Sequence, residues 1–313
     1  MSELLKSVDA RTKLAGTNKL EILMFTLGVD SESGRREIFG VNVFKVREVL
    51  RTPTITRAPE MPPAVQGMVS LRGKLVPVVD LAKYAGITVT KKPDIMVVTE
   101  YNGQTQALLV EAVDTILRID WSAMRVPPQM LAGKAAGLVT AVTELPDGRL
   151  VMMLDVEQLL ADTTQQDQDG VFKNIHAKLP AGRTVLFADD SAVARNQIVR
   201  TLEAMAVNHI ATANGAEAWQ ELTRLADAAR IAGGHVRDSV QLVLTDVEMP
   251  EMDGYMLAKR IKSDPRFNGV PVIMHSSLSG ESNQQLGRSV GIDEYVSKFE
   301  PLKLAAAISR MLA

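Results

Sequence analysis

The sequence predicts a multidomain protein: an all-β N-terminal domain followed by an α/β domain with a doubly wound, five-stranded parallel sheet. The chain has 313 residues, about twice the length of a typical domain. Short apolar runs punctuated by turn residues fill the first half, which is typical of a barrel or sandwich. After Gly182, apolar strands alternate with amphipathic helices, which is typical of a parallel sheet.

The apolar runs of the first half are predicted strands because they are short and rich in Val and Ile. They lie at 22–27, 39–44, 68–71, 75–79, 95–98 and 107–110. Asn102-Gly103 and Asp147-Gly148 fall between such runs, and both dipeptides favour hairpin turns because they tolerate positive φ. Short helices are expected at 3–14, 46–50 and 156–161.

A polar stretch separates the two halves. Residues 164–170 have no apolar period, and Pro180 and Gly182 extend the interruption. We therefore place the first domain at 1–163, a linker at 164–182 and the second domain at 183–313.

The second half repeats strand and helix five times. Strands are predicted at 184–188, 209–213, 240–245, 270–275 and 293–296, and helices at 192–206, 216–232, 254–262, 281–290 and 302–312. Functional residues of such sheets lie beyond the carboxyl ends of the strands. Polar residues stand at four of these ends: Asp189, Asp190, Asp246, Ser276 and Lys298.

These strand-end residues are expected to form one acidic site. Two unit charges ~4 Å apart interact by roughly 4 kcal/mol at an effective dielectric near 20, so clustered carboxylates need a cation. Oxygen ligands without His or Cys favour a hard ion such as Mg²⁺. We assign Asp246 as the nucleophile that accepts a phosphoryl group, with Lys298 and the metal neutralising the transferred charge.

The remaining residues have assigned roles at the same site. Asp190 is the expected direct metal ligand, and Asp189 holds a metal-bound water. The backbone carbonyl of Glu248 is a third candidate ligand, and the Ser276 hydroxyl binds the new phosphoryl oxygen. Each Asp alone is better explained as a helix cap, and Ser191 is itself a candidate cap for the following helix, but the full set in this order favours the site.

Composition excludes several classes of function. The formal charge of −2, with no basic excess, disfavours nucleic acid as the main partner. The absence of cysteine excludes disulfides, thiolate catalysis and Cys-ligated zinc. The N-terminus lacks a signal-peptide core, and no segment approaches the roughly 20 apolar residues of a membrane span. We expect a cytoplasmic protein without direct membrane insertion.

Four motifs of the second half resemble response-regulator receiver domains. They are FADDS at 187–191, LTDVEMPEMDG at 244–254, PVIMHSS at 271–277 and YVSK at 295–298. The resemblance covers Thr184 to the C-terminus. It implies Mg²⁺-dependent transfer of phosphate from a kinase phosphohistidine to Asp246, and a switch in which Ser276 shifts and Tyr295 turns inward.

The chain departs from the receiver pattern at three positions. Phe299 replaces the usual cis proline after Lys298, and a non-proline cis bond costs ~2.5–4 kcal/mol, so we expect a trans, differently shaped loop or a strained one. Glu248 adds a carboxylate that we expect to alter metal affinity and phosphate lifetime. His275 stands where an aliphatic residue is usual, in either a packing or a functional role.

Three segments of the first half resemble the chemotaxis coupling protein CheW. They are ILMFTLG at 22–28, FGVNVFKVREV at 39–49 and GMVSLRGKLVPVVDL at 67–81. The resemblance implies two small five-stranded β-barrels that bridge chemoreceptor cytoplasmic tips and the chemotaxis histidine kinase of the CheA type. Val46, Glu48, Gly67 and Arg72 match contact positions. Their alternative roles are core, turn and an ordinary Glu48–Arg72 surface pair.

A coupling domain followed by a receiver resembles the CheV family of chemotaxis scaffolds. The resemblance implies an adaptor that is recruited to chemoreceptor arrays and retuned by phosphate on Asp246, or a phosphate sink. It implies no enzyme beyond the protein's own phosphotransfer and dephosphorylation. A haloacid-dehalogenase-type phosphatase is disfavoured because the acidic pair precedes the nucleophile here. A DNA-binding regulator is disfavoured by the charge balance.

Overall fold

The computed structural model describes residues 19–89, 91–101, 104–127, 138–163, 169–175, 179–180, 182–277, 285 and 287–312. The chain divides into two compact units, one spanning Leu20–Gln165 and the other containing Gln166–Ala313. The helix predicted at 3–14 and half of the one predicted at 281–290 lie outside the described residues. No helix of the described ranges is both long and apolar enough to cross a bilayer.

The first unit consists of two five-stranded, mainly antiparallel sheets. Its strands are β1 (Lys19–Thr26), β2 (Ile38–Asn42), β3 (Val46–Arg51), β4 (Val65–Leu71), β5 (Lys74–Asp80), β6 (Ile95–Tyr101), β7 (Gln104–Val110), β8 (Ala112–Asp120), β9 (Val139–Glu144) and β10 (Leu150–Leu154). Its helices are α1 (Leu81–Ala85) and α2 (Val156–Thr163). The strand orders are β8-β1-β2-β10-β9 and β3-β6-β7-β5-β4.

Both sheets curl so that their outer strands meet. Thr56, which follows β3, forms an antiparallel bridge with Met68 of β4, with two backbone hydrogen bonds of 2.9 and 2.8 Å. Arg125, which follows β8, bridges Val142 of β9 in the same way. Each bridge joins the two ends of a strand order, which is the geometry of a small barrel. The all-β prediction for this half is confirmed.

The helix predicted at 46–50 is wrong, because this segment is strand β3. Apolar residues at 46, 49 and 50 mimic a helical spacing, but a bulge between Val46 and Glu48 changes the phase of the strand. Side chains then alternate between half-buried and exposed, and β3 pairs antiparallel with β6. The strand predicted at 39–44 ends at Asn42, whose side chain accepts from Phe44 N at 3.0 Å and caps a short 3₁₀ turn.

The second unit is the predicted doubly wound parallel sheet. Its strands are β11 (Thr184–Ala188), β12 (Asn208–Thr212), β13 (Leu242–Thr245), β14 (Val272–Ser276) and β15 (Glu294–Ser297), in the order β12-β11-β13-β14-β15. Its helices are α3 (Asp169–Phe172), α4 (Ala192–Ala204), α5 (Gly215–Ile231), α6 (Gly254–Ser263) and α7 (Pro301–Leu312). Separate apolar clusters fill the two faces, one under α4 and α7 and the other under α5 and α6.

Three side-chain caps begin helices just after the strand ends. The Ser191 hydroxyl accepts from Ala194 N at the start of α4, and Asn214 accepts from the backbone at the start of α5. Asp253 accepts from Met256 N at 2.7 Å and begins α6. Each cap satisfies a backbone N–H that the helix itself leaves without a partner. The caps therefore fix short loops at the carboxyl edge of the sheet.

Part of the segment predicted as a linker packs into the second unit. Phe172 of α3 and Ile175 are each 8% exposed and belong to the apolar cluster under α4 and α7. The Arg200 guanidinium of α4 lies 4.1 Å from the centre of the Phe172 ring, within the range of a cation–π contact. The domain boundaries themselves stay a prediction, but 169–175 is structurally part of the second unit.

Candidate functional site

All five strand-end residues lie at the same edge of the parallel sheet. Asp189 and Asp190 follow β11, Asp246 follows β13, Ser276 ends β14 and Lys298 follows β15. Because the strands are parallel and neighbouring, their carboxyl ends converge. The topology therefore collects three carboxylates, a hydroxyl and an ammonium from four separate strands.

Two buried carboxylates share the ammonium of Lys298. Its Nζ lies 2.9 Å from Asp189 Oδ2 and 2.8 Å from Asp246 Oδ2. The Lys298 and Asp189 side chains are fully buried, and that of Asp246 is 5% exposed. Removing ions from water is costly, so such a group persists where close pairing compensates it. Because one ammonium faces two carboxylates, the three side chains together carry a net negative charge.

The acidic group has the composition and spacing of a magnesium site. Asp189, Asp190 and Asp246 each offer an oxygen, and these atoms lie within 4.8 Å of one another. Around an octahedral Mg²⁺ with bonds of about 2.1 Å, ligand oxygens lie roughly 3 to 4 Å apart. A small contraction therefore brings the three oxygens to that spacing. The residues present fit a hard divalent ion.

Backbone donors hold the carboxylates in place. Asp189 Oδ1 accepts from Ser191 N at 2.9 Å, and Asp246 Oδ1 accepts from Val247 N at 2.6 Å. The Oδ2 atom of each residue is the one that meets Lys298. Each carboxylate is therefore oriented by its own loop, and its rotation is restricted before any ligand binds.

Gly254 allows the loop after β13 to fold back on Asp246. A Cβ atom at this position would lie 1.8 Å from the Asp246 carbonyl oxygen, much closer than any real contact. Gly254 N also donates to Val247 O at 2.9 Å, which closes the loop. The glycine of the LTDVEMPEMDG motif thus packs directly on the acceptor's backbone.

Ser276 and Tyr295 lie together beside the acidic group. The Ser276 side chain is fully buried, and it hydrogen-bonds the Tyr295 hydroxyl. Burial raises the pKa of Tyr295 above its ordinary value, and the charges of Asp246 and Glu248 add to that effect. The Ser276 hydrogen bond and Lys298 act in the opposite direction. The two predicted switch residues are therefore in contact with each other and electrostatically coupled to the acceptor.

The structure shows the shape of the loop after Lys298. The Lys298–Phe299 bond is trans, and Phe299 has φ of 60° in the left-handed region. A non-glycine residue there costs roughly 1–2 kcal/mol. Lys298 N donates to Ser276 O at 3.1 Å, which extends the β14–β15 pairing to Lys298. The departure from the receiver pattern thus changes the loop after Lys298 while Lys298 still reaches both aspartates.

The other two departures are also buried at this edge. The Glu248 residue is 8% exposed, and its charge contributes to the raised pKa of both Tyr255 and Tyr295, for which burial is the main cause. It is a further negative charge close to the acceptor. His275 of β14 is 2% exposed and pairs in register with Val296. A functional role for His275 stays a prediction.

In the first unit, Glu48 and Arg72 form an ion pair. Arg72 Nη2 lies 2.9 Å from Glu48 Oε2, and the Arg72 side chain is 72% exposed. Arg72 and Gly73 form the two-residue turn between β4 and β5, with φ of 49° and 79°. Such turns need positive φ at both positions, which explains the glycine. The surface pair proposed as an alternative is present, and it joins β3 to the turn between β4 and β5.

Val46 and Gly67 have structural roles in the same sheet. Val46 is half-buried at the start of β3 and packs against the first unit's core. Gly67 has φ of 146°, and a Cβ atom would lie 2.4 Å from the Thr56 carbonyl oxygen. It therefore permits the close backbone approach that closes the sheet. Binding roles for Val46, Glu48, Gly67 and Arg72 stay predictions.

Sequence reasoning missed Arg195. Its Nη1 donates to the Asp189 carbonyl oxygen at 2.8 Å, so a second cation contacts the loop that carries the acidic pair. The available signal is its spacing: Arg195 stands four residues after the Ser191 cap, one helical turn into α4. That spacing returns a long side chain to the start of the helix.

Comparison with known proteins defines the class of each unit. A CheW-like domain matches residues 21–164, and a response regulator receiver domain matches residues 185–309. The chain is 29% identical to the chemotaxis protein CheV3 of Helicobacter pylori over 94% of this chain and 95% of that protein. It is 27% identical to CheV1 of the same organism, over 100% and 99%. The chain therefore consists of a CheW-like domain followed by a response regulator receiver domain, and it is similar over nearly its whole length to CheV chemotaxis proteins.

The receiver unit alone has closer relatives. It is 31% identical to the chemotaxis protein CheY1 of Helicobacter pylori over 41% of this chain and 95% of that protein. The match covers nearly all of a single-domain relative. The receiver of this chain is therefore a whole domain of that kind.

Proposed function

We propose that this protein is a chemotaxis adaptor whose coupling activity is controlled by phosphorylation of Asp246. The observation that carries the proposal is the pair of buried carboxylates held by one ammonium, with a third carboxylate alongside. A structural core gains little from burying such a group, since an apolar replacement is often as stable. The arrangement instead suits the transfer of an anionic phosphoryl group.

The phosphoryl transfer involves one bond formed and one broken. A carboxylate oxygen of Asp246 attacks phosphorus, and the bond from phosphorus to the kinase imidazole nitrogen breaks, with its electron pair leaving on the imidazole. Lys298, now 2.8 Å from Asp246, binds a phosphoryl oxygen and balances its charge. Asp190, Asp189 and the Glu248 carbonyl would hold Mg²⁺, which supplies charge neutralisation when bound.

Ser276 and Tyr295 are the proposed readout of this reaction. The Ser276 hydroxyl shifts to donate to a phosphoryl oxygen, so its hydrogen bond to Tyr295 changes. Tyr295 then has two alternative environments, one for each state of Asp246. Phosphorylation biases this local equilibrium, and a partner that binds one state better senses it.

The first unit supplies the proposed protein contacts. Val46, Glu48, Gly67 and Arg72 lie on the sheet closed by the Thr56 bridge and would bind the histidine kinase and the chemoreceptor tips. The protein would thereby be recruited from the cytoplasm to receptor arrays. Phosphate on Asp246 either retunes this coupling or drains phosphate from the kinase.

Phosphotransfer from a radiolabelled chemotaxis kinase tests the receiver half of the proposal. The full chain is expected to take label in Mg²⁺, whereas Asp246→Asn takes none. Asp264→Asn is the matched control, since this carboxylate of the same domain pairs with Arg266 instead. Equal labelling of the wild type and Asp246→Asn contradicts the assignment.

Binding of the full chain to kinase and receptor fragments tests the coupling half. Glu48→Arg is expected to weaken binding at least tenfold. The double variant Glu48→Arg/Arg72→Glu restores the internal ion pair with reversed charges. If the double variant binds like the wild type, the pair acts only within the fold and the contact assignment fails. Arg149→Glu, which removes a pair with Asp147, is the control.

A further inference from the structure

Arg195 is a cation placed at the acidic site that the proposed phosphotransfer does not yet use. It lies in the first turn of α4, and its guanidinium donates from Nη1 to the carbonyl of Asp189 at 2.8 Å. That carbonyl belongs to the peptide that joins Asp189 to Asp190. The positive group is therefore fixed on the loop that carries two of the three clustered carboxylates.

The charge balance of the site explains why a second cation matters. Four carboxylates lie at this edge, those of Asp189, Asp190, Asp246 and Glu248, and Lys298 is already engaged by two of them. Even a bound divalent ion leaves one negative charge uncompensated. A phosphodonor brings further negative charge, so its approach is opposed unless another cation is near.

The geometry of Arg195 suits it to receive an anion. A guanidinium has five N–H donors, and the contact with Asp189 uses one. Arg195 is half-buried, so its charge is screened less than that of a free surface arginine. Its planar, paired donors match two oxygens of a phosphoryl group.

We propose that Arg195 selects the net charge of the phosphodonor, favouring donors with a net charge of −2 over donors with a net charge of −1. This inference rests on the proposed phosphorylation of Asp246. Arg195 binds oxygens of the incoming phosphoryl group while Lys298 neutralises charge at the acceptor. The bond changes are those of the transfer itself: an oxygen–phosphorus bond forms at Asp246, and the donor's leaving group takes the electron pair.

Two small phosphodonors of different charge test the selection. At pH 7 acetyl phosphate is a dianion and phosphoramidate carries a net single negative charge. Arg195→Gln in the full chain is expected to slow phosphorylation by acetyl phosphate about tenfold, and by phosphoramidate less than threefold. Arg195→Lys, which keeps the charge, is expected to recover at least half of the loss with acetyl phosphate.

Magnesium affinity separates this role from a structural one. If Arg195 acts by charge, its removal leaves Mg²⁺ binding unchanged or tighter in calorimetry, because a repelling cation has gone. If it only holds the loop of Asp189 and Asp190, its removal weakens Mg²⁺ binding and slows both donors equally, which overturns the proposal. Arg200→Gln is the matched control, since it removes the same charge from α4 at the Phe172 ring.

The outcomes distinguish this inference from the proposed function. Wild-type phosphorylation that Asp246→Asn does not abolish overturns the proposed function and the role of Arg195 with it. A different result overturns the role of Arg195 alone. In that case the wild type is phosphorylated normally and Asp246→Asn is not phosphorylated, but Arg195→Gln is phosphorylated by both donors at the wild-type rate.

Discussion

The two units of this protein use charge in opposite ways. In the receiver, Lys298 is fully buried between Asp189 and Asp246, with contacts of 2.9 and 2.8 Å. In the coupling unit, Arg72 meets Glu48 at a similar 2.9 Å, yet its side chain is 72% exposed. Similar distances therefore describe very different energies, because water screens one pair and not the other.

The difference fits the function that we propose for each site. A buried group with excess negative charge suits a small, highly charged ligand that enters the protein. An exposed pair on a closed sheet is available to a large partner that covers it. The first site is defined by its chemistry, and the second by the surface around it.

The largest effect is expected from removing the buried cation. Lys298→Met leaves two buried carboxylates without their partner, and we expect the receiver to lose about 3–5 kcal/mol of unfolding free energy. Millimolar Mg²⁺ should recover part of this loss because it replaces the missing charge. Urea unfolding followed by Trp219 fluorescence, in a Trp121→Phe background, measures both.

Lys262→Met is the control for this variant. Lys262 pairs with Asp293 at 2.6 Å, but both side chains are partly exposed. We expect a loss below about 1 kcal/mol. Equal losses for the two lysines would contradict the contrast between buried and exposed charge.

A second prediction concerns glycines, for which the two units should behave alike. Gly254→Ala forces a Cβ against the Asp246 carbonyl, and Gly67→Ala forces one against Thr56, so we expect each unit to lose about 3 kcal/mol. Thermal unfolding of the full chain detects either loss. Gly170→Ala is the control, because a Cβ there meets open space. A neutral Gly254→Ala would disprove the close approach at the acceptor.

A third prediction sharpens where one unit ends. Phe172→Ala removes a ring that is 8% exposed and stacked under Arg200, so the receiver should lose about 2–3 kcal/mol. The measurement is urea unfolding followed by Trp219 fluorescence in the same Trp121→Phe background. Lys173→Ala is the neighbouring control, since this side chain is exposed. An unchanged urea midpoint for Phe172→Ala would show that residues 169–175 add nothing to the stability of the receiver and belong to the linker.

The smallest effect on stability is expected at the exposed pair. Arg72→Gln removes the ion pair with Glu48 but keeps the turn, and we expect a loss below about 1 kcal/mol. Chemical unfolding followed by Trp121 fluorescence, in a Trp219→Phe background, measures it. Binding to the kinase should nevertheless fall strongly if the proposed contact is correct. A large loss of stability in Arg72→Gln with unchanged binding to the kinase would contradict the contrast between the exposed pair and the buried one.

The receiver could be predicted from the sequence because its proposed chemistry requires particular residue types at particular strand ends. Asp189, Asp246 and Lys298 each follow an apolar strand, and the parallel topology alone brings them together. Phe299 shows where this reasoning ends: the sequence excludes proline geometry but does not determine a φ of 60°. That angle depends on how the loop between β15 and α7 packs.

Other features depended on tertiary contacts that no local pattern encodes. Val46–Leu50 has a helical spacing of apolar residues, and only its pairing with β6 makes it a strand. Phe172 and Ile175 are isolated apolar residues in a polar segment, so nothing local indicates that α4 and α7 cover them. Arg195 was missed because its partner is a backbone carbonyl, and only its spacing from the Ser191 cap indicates that contact.

The bridge between Thr56 and Met68 also protects an edge of the sheet. An open sheet edge presents unpaired N–H and C=O groups that can recruit strands from other molecules. Here the backbone of Thr56 pairs with the β4 edge at Met68, and Gly67 lets the chain come close enough to do so. An adaptor recruited to receptor arrays, as we propose, would need such protected edges because many of its copies lie close together. The two hydrogen bonds of this bridge then keep neighbouring copies apart as well as closing the sheet; replacing Thr56 by proline removes one of them, and we expect this substitution to increase aggregation.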